Sequence, residues 1–159
     1  MTLVGFTGHQ NITAATRKMV AAVITAELSR LDAGPLTGIS SLAAGADQTF
    51  AFCVLAVGGQ LTFIQPSHGY RDTFSGPALL SYDHLLSLAA EVEKLPFDQP
   101  SETAYYAAGQ RVVDKCDLLL AVWDGEPAGG LGGTADIVRD ARAKHKPVAV
   151  IWPDGATRG

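Results

Sequence analysis

The fold is decided by residues 117–146, whose sequence is DLLLAVWDGEPAGGLGGTADIVRDARAKHK. A hydrophobic run at 118–123 leads into Asp124 and a glycine-rich loop, and after Thr134 the apolar residues adopt helical spacing. Such a turn suits phosphate, because glycines let main-chain N–H groups approach an anion and the helix N-terminus adds unpaired donors. The stretch predicts a small anionic ligand, with a nucleotide as the first hypothesis, although glycine-rich turns also serve as simple connectors.

Length and charge narrow the class of protein. The 159 residues are 47% hydrophobic and 18% charged, which predicts one domain over 1–159 with a sizeable core. The formal net charge of −4 makes nucleic acid an unfavoured partner, since proteins that grip nucleic acid usually carry a basic surface.

The cysteines and the apolar runs indicate in which cellular compartment to expect the protein. Cys53 and Cys116 lack the spacing of a metal site or a disulfide framework, so we expect reduced core residues in a cytoplasmic protein, with no metal. The longest fully apolar run, 51–57, is too short to span a bilayer, so we expect no membrane contact.

Strand and helix patterns alternate along the chain. Strands are predicted at 2–7, 36–41, 61–64, 118–123 and 147–152, with a short extra strand at 94–97 as an alternative. Helices are predicted after an N-cap at Thr13 and at 45–57, 78–92, 101–115 and 134–145, followed by a tail at 154–159. The pattern predicts an α/β fold: a three-layer, Rossmann-like, doubly wound, mainly parallel five-stranded sheet in the order 3-2-1-4-5.

The binding site is expected where the strand order reverses, beyond the carboxyl ends of the first and fourth strands. The turns after the first, second and fourth strands meet there. The candidate ligand-binding residues in these turns are Gly8, His9, Ser41, Gly45, Ala46, Asp47, Asp124, Gly132, Gly133, Thr134 and Asp136. Structural roles are the alternative, because a glycine also suits a tight strand exit and a carboxylate suits the first turn of a helix.

The sequence supports a further group of residues less strongly as members of the binding site. Trp123 and Tyr70 are candidates for stacking on a base, but aromatic residues at strand ends also fill cores. Arg71 is a candidate for pairing with phosphate or for solvent exposure. The helix before the fourth strand offers Tyr105, Gly109 and Gln110.

The segments 7–9, 41–47, 117–125 and 132–136 resemble the SLOG superfamily, in the expected order and over nearly the whole chain. That group unites the DNA-processing protein DprA, the LOG phosphoribohydrolases and YpsA-like proteins, and the resemblance is strongest to small bacterial YpsA-like members. It implies a Rossmann-like fold and a pocket for nucleotides or their derivatives, often in a homodimer. Some members act as ligand sensors in bacterial defence systems.

The chain departs from the family at two places. The first turn has Gln10 where YpsA-like relatives commonly have arginine, so a fixed cation is absent from that turn. LOG enzymes carry a catalytic glutamate three residues after a Gly-Thr pair, and alignment with Gly133-Thr134 places Ile137 there. Isoleucine cannot act as an acid or a base, which weighs against hydrolysis by the LOG mechanism.

Four functions remain open from the sequence. The leading hypothesis is a nucleotide or nucleotide-derivative sensor that requires no cofactor. The second is an enzyme that cleaves an N-glycosidic bond, with Asp47 and Asp136 as candidate catalytic residues and Asp124 near the ribose. The third is single-stranded DNA binding of the DprA kind, and the last is an NAD domain, for which the turn at 5–9 supplies only two of the three fingerprint glycines.

Overall fold

A computed structural model of the chain describes residues 1–31, 34–127, 131 and 133–159. The strands are β1 (Thr2–Gly8), β2 (Leu36–Ser40), β3 (Gln60–Gln65), β4 (Glu91–Lys94), β5 (Leu118–Val122) and β6 (Val148–Ile151). The helices are α1 (Ala14–Arg30), α2 (Ala46–Ala56), α3 (Gly76–Leu88), α4 (Glu102–Lys115) and α5 (Thr134–Ala143), and a 3-10 turn spans Tyr70–Thr73.

The strands form one parallel sheet in the order β4-β3-β2-β1-β5-β6. The α/β class and the relative order of the five predicted strands are confirmed, whereas the predicted strand count was wrong. The sixth strand is β4, which replaces the end of the helix predicted at 78–92 and lies slightly before the alternative strand at 94–97. The chain leaves α3 because the N–H of Ala90 donates to the carbonyl of Leu61 at 2.9 Å and leads the backbone into the sheet.

Two apolar clusters cover the faces of the sheet and give the predicted three layers. Helices α1, α2 and α3 supply one cluster, which includes Val20, Ile24, Phe50, Tyr82 and Leu85. Helices α4 and α5 supply the other, which includes Ala108, Val112, Val113, Ile137 and Ala141. Burial of both faces explains why the strands are almost continuously hydrophobic, as in other parallel sheets.

Local capping fixes the starts of two helices where the sequence predicted them. The Thr13 hydroxyl accepts from the N–H of Thr16 at 3.1 Å, and the Ser101 hydroxyl accepts from the N–H of Ala104 at 3.0 Å. Within the described ranges, every helix is too short or too polar to span a lipid bilayer.

Candidate functional site

A cleft of about 600 Å³ opens at the carboxyl ends of the central strands. Its walls are the turns after β1, β2, β3 and β5, together with α4 and the first turn of α5. Strand β1 lies between β2 and β5, so the cleft occupies the point where the chain reverses its direction across the sheet. Its volume falls in the range of roughly 300–1,000 Å³ that is typical of small-molecule sites.

The structure brings part of the predicted set to the cleft. The predicted residues that line it are Gly8, His9, Ser41, Asp47, Tyr70, Tyr105, Gly109, Gly133 and Thr134. The predicted residues that do not line it are Gly45, Ala46, Arg71, Gln110, Trp123, Asp124 and Asp136. Gly132 lies outside the described residues.

The turn after β1 forms the floor of the cleft and is held by His9. The main-chain N–H of Asp124 donates to Nε2 of His9 at 3.1 Å, and the same nitrogen lies 3.2 Å from Oδ1 of Asp124. Burial, and secondarily the Arg158 guanidinium, lower the pKa of His9, which agrees with a neutral ring. The Oδ1 atom of Asp124 also accepts from the N–H of Glu126 at 3.0 Å. His9 therefore joins the turns after β1 and β5.

The turn after β2 holds a buried carboxyl group. Asp47 is only 7% exposed, and its Oδ2 accepts from the Ser40 hydroxyl at 2.7 Å. Burial raises the pKa of Asp47 to about 7, against the opposing effect of hydrogen bonds from Ser40 and the Ser41 main chain. The cleft thus contains a carboxyl group that changes charge near neutral pH.

Gly45 and Ala46 serve packing between turns. Gly45 has φ +85°, and a Cβ atom there would collide with the main-chain carbonyl of Gln10. The N–H of Ala46 donates to the carbonyl of His9 at 3.1 Å, so this donor is already used within the protein. Glycine at this position lets the turn after β2 pack closely against the turn after β1. The sequence pattern does not distinguish such a packing role from contact with a ligand.

The first turn of α5 presents open donors to the cleft. Gly133 is the N-cap and provides no side-chain cap. Within the part of the chain that the structure describes, no acceptor receives a hydrogen bond from the N–H of Thr134 or Ala135. Both residues line the cleft, where the helix dipole adds a partial positive charge. Asp136 instead forms an ion pair with Arg139 at 3.1 Å.

Aromatic side chains line part of the cleft. Tyr70 is buried and its hydroxyl donates to the carbonyl of Ser41 at 2.9 Å. Its ring lies 5.1 Å from that of Phe74 and 6.0 Å from that of Tyr105, measured between centroids. Tyr70 is therefore fixed in place, and part of the cleft wall is aromatic.

Sequence reasoning missed several residues of the cleft wall. Among them are Asn11, Phe74, Ser75, Glu126, Pro127, Ala135 and Arg158, whereas Gln10 and Ile137 line the cleft at positions that the family resemblance singles out. Glu126 and Pro127 lie in the glycine-rich loop after the fourth predicted strand, so their place at the cleft could have been predicted from the sequence. No sequence pattern marks Arg158 as a cleft residue, because it follows the last strand and reaches the cleft only through tertiary contacts. Arg71 lies away from the cleft and forms an ion pair with Asp83.

The described residues contain no cluster of three or more His, Cys, Asp or Glu side chains able to hold a metal ion. Ile137 is buried in the cleft wall and packs against Gly109 of α4, where any added Cβ atom would collide with the isoleucine side chain. The position that the LOG alignment gives to glutamate is thus occupied by an apolar group in a helix–helix contact. Asp47 and Glu126 are the carboxyl groups among the described lining residues.

Comparison with known proteins identifies similar folds. No family model and no curated protein matches the sequence. DNA processing protein A (DprA) from Streptococcus pneumoniae superposes with a TM-score of 0.73 at 18% identity, over 98% of this chain and 52% of that one. DprA from Helicobacter pylori gives 0.64 at 13% identity, over 99% and 68%, and TM1055 gives 0.60 at 16% identity, over 93% and 72%.

These similarities are similarities of fold, since every identity is below 25%. The chain spans about half the length of the Streptococcus pneumoniae protein. The superposition extends over 93–99% of this chain in all three structures. The chain shares the fold of the part of DNA processing protein A that it covers.

Proposed function

We propose that the cleft binds a nucleotide or nucleotide derivative, with the phosphate at the first turn of α5, and that the protein acts as a ligand sensor without strong catalysis. The observation that carries this proposal is the pair of N–H groups at Thr134 and Ala135, which have no acceptor among the described residues and lie in the wall of a cleft of about 600 Å³. Main-chain donors at a helix N-terminus bind phosphate oxygens without a charged side chain.

The rest of the cleft suits a base and a sugar. Tyr70, Phe74 and Tyr105 give an aromatic wall for a planar ring, while Asp47 and the Ser75 region are polar. Tyr70 and Phe74 follow β3, Tyr105 belongs to α4, and all three line the same cleft as the first turn of α5. A nucleoside monophosphate has the mixed polarity that such a lining requires.

The test is the binding of adenosine 5′-monophosphate (AMP), with adenosine as the ligand that lacks phosphate. AMP at a hundredfold its dissociation constant should raise the free energy of unfolding by about 2.7 kcal/mol, and adenosine at the same concentration by clearly less. Thermal unfolding and titration calorimetry measure the two effects. Equal binding of AMP and adenosine would contradict the placement of phosphate at α5.

Thr134→Pro removes one open donor and little else. Thr134 is the first residue of α5, where proline fits a helix, and Gly133 has φ −66° and ψ 168°, which a residue before proline adopts readily. We expect AMP affinity to fall about tenfold or more, the effect of a lost hydrogen bond to a charged group. Thr134→Ala keeps the N–H and should retain affinity.

Ala14→Pro is the matched control for this substitution. Ala14 is the exposed first residue of α1, and its N-cap Thr13 has nearly the same backbone, with φ −68° and ψ 161°. The same chemical change there lies outside the cleft and should leave AMP affinity unchanged. Equal losses in the two proline variants would mean that helix distortion, and not a missing donor, weakens binding.

Asp47 favours a second candidate function, cleavage of the N-glycosidic bond of a nucleotide. A carboxyl group with a pKa of about 7 exchanges protons at neutral pH, as general acid–base catalysis requires. Chromatography of AMP incubated with the protein would detect free adenine. Adenine release that disappears in Asp47→Asn would establish this activity and replace the sensor proposal, whereas no release across a panel of nucleotides would remove it.

Single-stranded DNA binding is the third candidate, and similarity of fold favours it. The solved structure of DprA from Helicobacter pylori concerns a single-stranded DNA binding mode. The net charge of −4 and the carboxylates near the cleft oppose the binding of a polyanion. An electrophoretic shift of single-stranded DNA that weakens with added salt would support this function, and no shift at low salt would exclude it.

A further inference from the structure

The segment 154–159 is attached to the turn that forms the cleft floor. The N–H of Thr157 donates to the Thr16 hydroxyl at 2.8 Å, and that hydroxyl donates to the carbonyl of Thr157 at 3.0 Å. Arg158 pairs with Ile12 in an antiparallel bridge, and the N–H of Gly159 donates to the carbonyl of Asn11 at 3.1 Å. Main-chain bonds on both sides of Arg158 therefore fix where its side chain begins.

Arg158 brings a positive charge to the cleft. Among the Lys and Arg side chains of the described residues, it is the one that lines the cleft. The others with close partners pair elsewhere on the surface, as in Arg71 with Asp83 and Arg111 with Glu93. Its side chain is 47% exposed, so an entering ligand can reach it.

The contact of Arg158 with Asp124 leaves its donors available. Nη1 of Arg158 lies 3.6 Å from Oδ2 of Asp124, which is an ion pair but too long for a hydrogen bond. A guanidinium group has five N–H donors in a planar fork that matches phosphate or carboxylate oxygens. Asp124 thus orients the side chain without occupying the fork.

The charges of the cleft need this arginine if the ligand is an anion. Because His9 is neutral, it does not balance the carboxylate of Asp124. Without Arg158, the negative charges of Asp124 and Glu126 would repel a phosphate that approaches α5. With it, one carboxylate is neutralised and the phosphate gains a cationic partner.

We propose that Arg158 is the phosphate-binding cation of this cleft, delivered by the segment 154–159 and oriented by Asp124. This inference rests on the proposed nucleotide site and deepens it, because it assigns the side chain that contacts the anionic group. It requires the ligand to carry phosphate and the segment 154–159 to be docked when the ligand binds.

Titration calorimetry with AMP and adenosine tests the assignment. Arg158→Gln should weaken AMP binding about tenfold or more and leave adenosine binding unchanged, because adenosine has no charge to pair. Arg158→Lys keeps the charge without the fork and should give an intermediate affinity for AMP. Arg30→Gln is the matched control, since Arg30 is 72% exposed on α1 and pairs with Glu27.

Two further variants separate charge from position. Asp124→Asn combined with Arg158→Gln should recover part of the lost AMP affinity, because it removes the carboxylate that Arg158 neutralised. Thr16→Val removes the hydroxyl that holds Thr157. In a protein that retains Arg158, this substitution should weaken AMP binding, as Arg158→Gln does. Circular dichroism melting checks that each variant is folded, and Arg158→Lys serves if Arg158→Gln is unstable.

The outcomes are distinct. If the wild type binds AMP and Arg158→Gln binds it equally well, this assignment is overturned and the nucleotide site stands. If the wild type binds no phosphate-bearing nucleotide, the proposed function fails and the assignment fails with it. A selective loss of AMP binding in Arg158→Gln, absent from Arg30→Gln, supports both.

Discussion

Asp47 and His9 show how burial sets the charges of the cleft residue by residue. The sequence gives both positions a titratable group but not its state, because the pKa depends on the solvent and hydrogen bonds removed on folding. Burial raises the pKa of Asp47 to about 7 and lowers that of His9. Both shifts favour neutral groups, so the fixed charges near the floor are those of Asp124 and Arg158.

The raised pKa of Asp47 predicts a pH dependence of stability. The folded state binds this proton more tightly than the unfolded state, whose pKa is the ordinary 3.8. The stabilising contribution is therefore complete below about pH 4 and is lost as pH rises through 7, by up to about 4 kcal/mol. Asp47→Asn removes this dependence, so its stability relative to the wild type should increase from pH 5 to pH 8.

Urea unfolding of both proteins at several pH values measures this difference. Asp98→Asn, which changes an exposed carboxylate, is the control and should show no comparable trend. A constant difference between Asp47→Asn and the wild type across this pH range would mean that Asp47 is ionised in the folded protein.

At the scale of elements, close approach between turns explains two positions that the sequence linked to ligand contact. Gly8 ends β1 where an added Cβ would lie 2.7 Å from Cβ of Ala46 in α2. Gly45 precedes α2 where a Cβ would collide with the carbonyl of Gln10. The turns after β1 and β2 can meet only because both residues lack side chains, and the shape of the cleft floor follows from that contact.

Gly45→Ala and Gly58→Ala compare a crowded glycine, with φ +85° and ψ −125°, with one in open space. Both glycines have φ +85°, but a Cβ at Gly58 would meet nothing within 4 Å. Gly58→Ala should cost about 1–2 kcal/mol of the free energy of unfolding, the penalty of left-handed backbone. Gly45→Ala adds a collision with main-chain atoms and should cost more than about 3 kcal/mol. Equal costs in urea unfolding would show that the turns can move apart freely.

At the scale of the whole molecule, the parallel sheet places its most protected strands beside the cleft. Strand β1 pairs with β2 on one side and with β5 on the other, and both clusters of apolar side chains cover it. Strand β4 is a four-residue edge strand with mostly exposed residues. The residues that form the floor therefore stand on the most rigid part of the fold, which suits a preorganised binding site.

Hydrogen exchange should report this gradient of stability. After correction for intrinsic rates, we expect the slowest amide exchange in β1 and β5 and the fastest strand exchange in β4, because edge strands open locally at low cost. Mass spectrometry of peptides that cover 2–8, 91–94 and 118–122 measures the order. Exchange in β4 as slow as in β1 would contradict it.

The sequence by itself determined the elements and the edge of the sheet where a site lies. Hydrophobic runs, capping residues such as Thr13 and Ser101, and glycine-rich turns act over short distances, so they predicted the order of five strands and the place where the turns meet. It offered β4 only as an alternative strand at 94–97, because the contacts of this strand are distant in sequence, as in the pairing of Glu93 with Arg111 and Lys115.

Only the tertiary structure decided which residues face the cleft and what charge they carry. Gly45 and Ala46 are used in contacts between turns, and Arg158 enters the cleft through bonds to residues 11–16, more than 140 positions earlier. These arrangements depend on which segments approach one another after the sheet forms, and on how much water that approach removes. Local sequence patterns predict neither the approach of distant segments nor the loss of water, because both arise from packing in the folded protein.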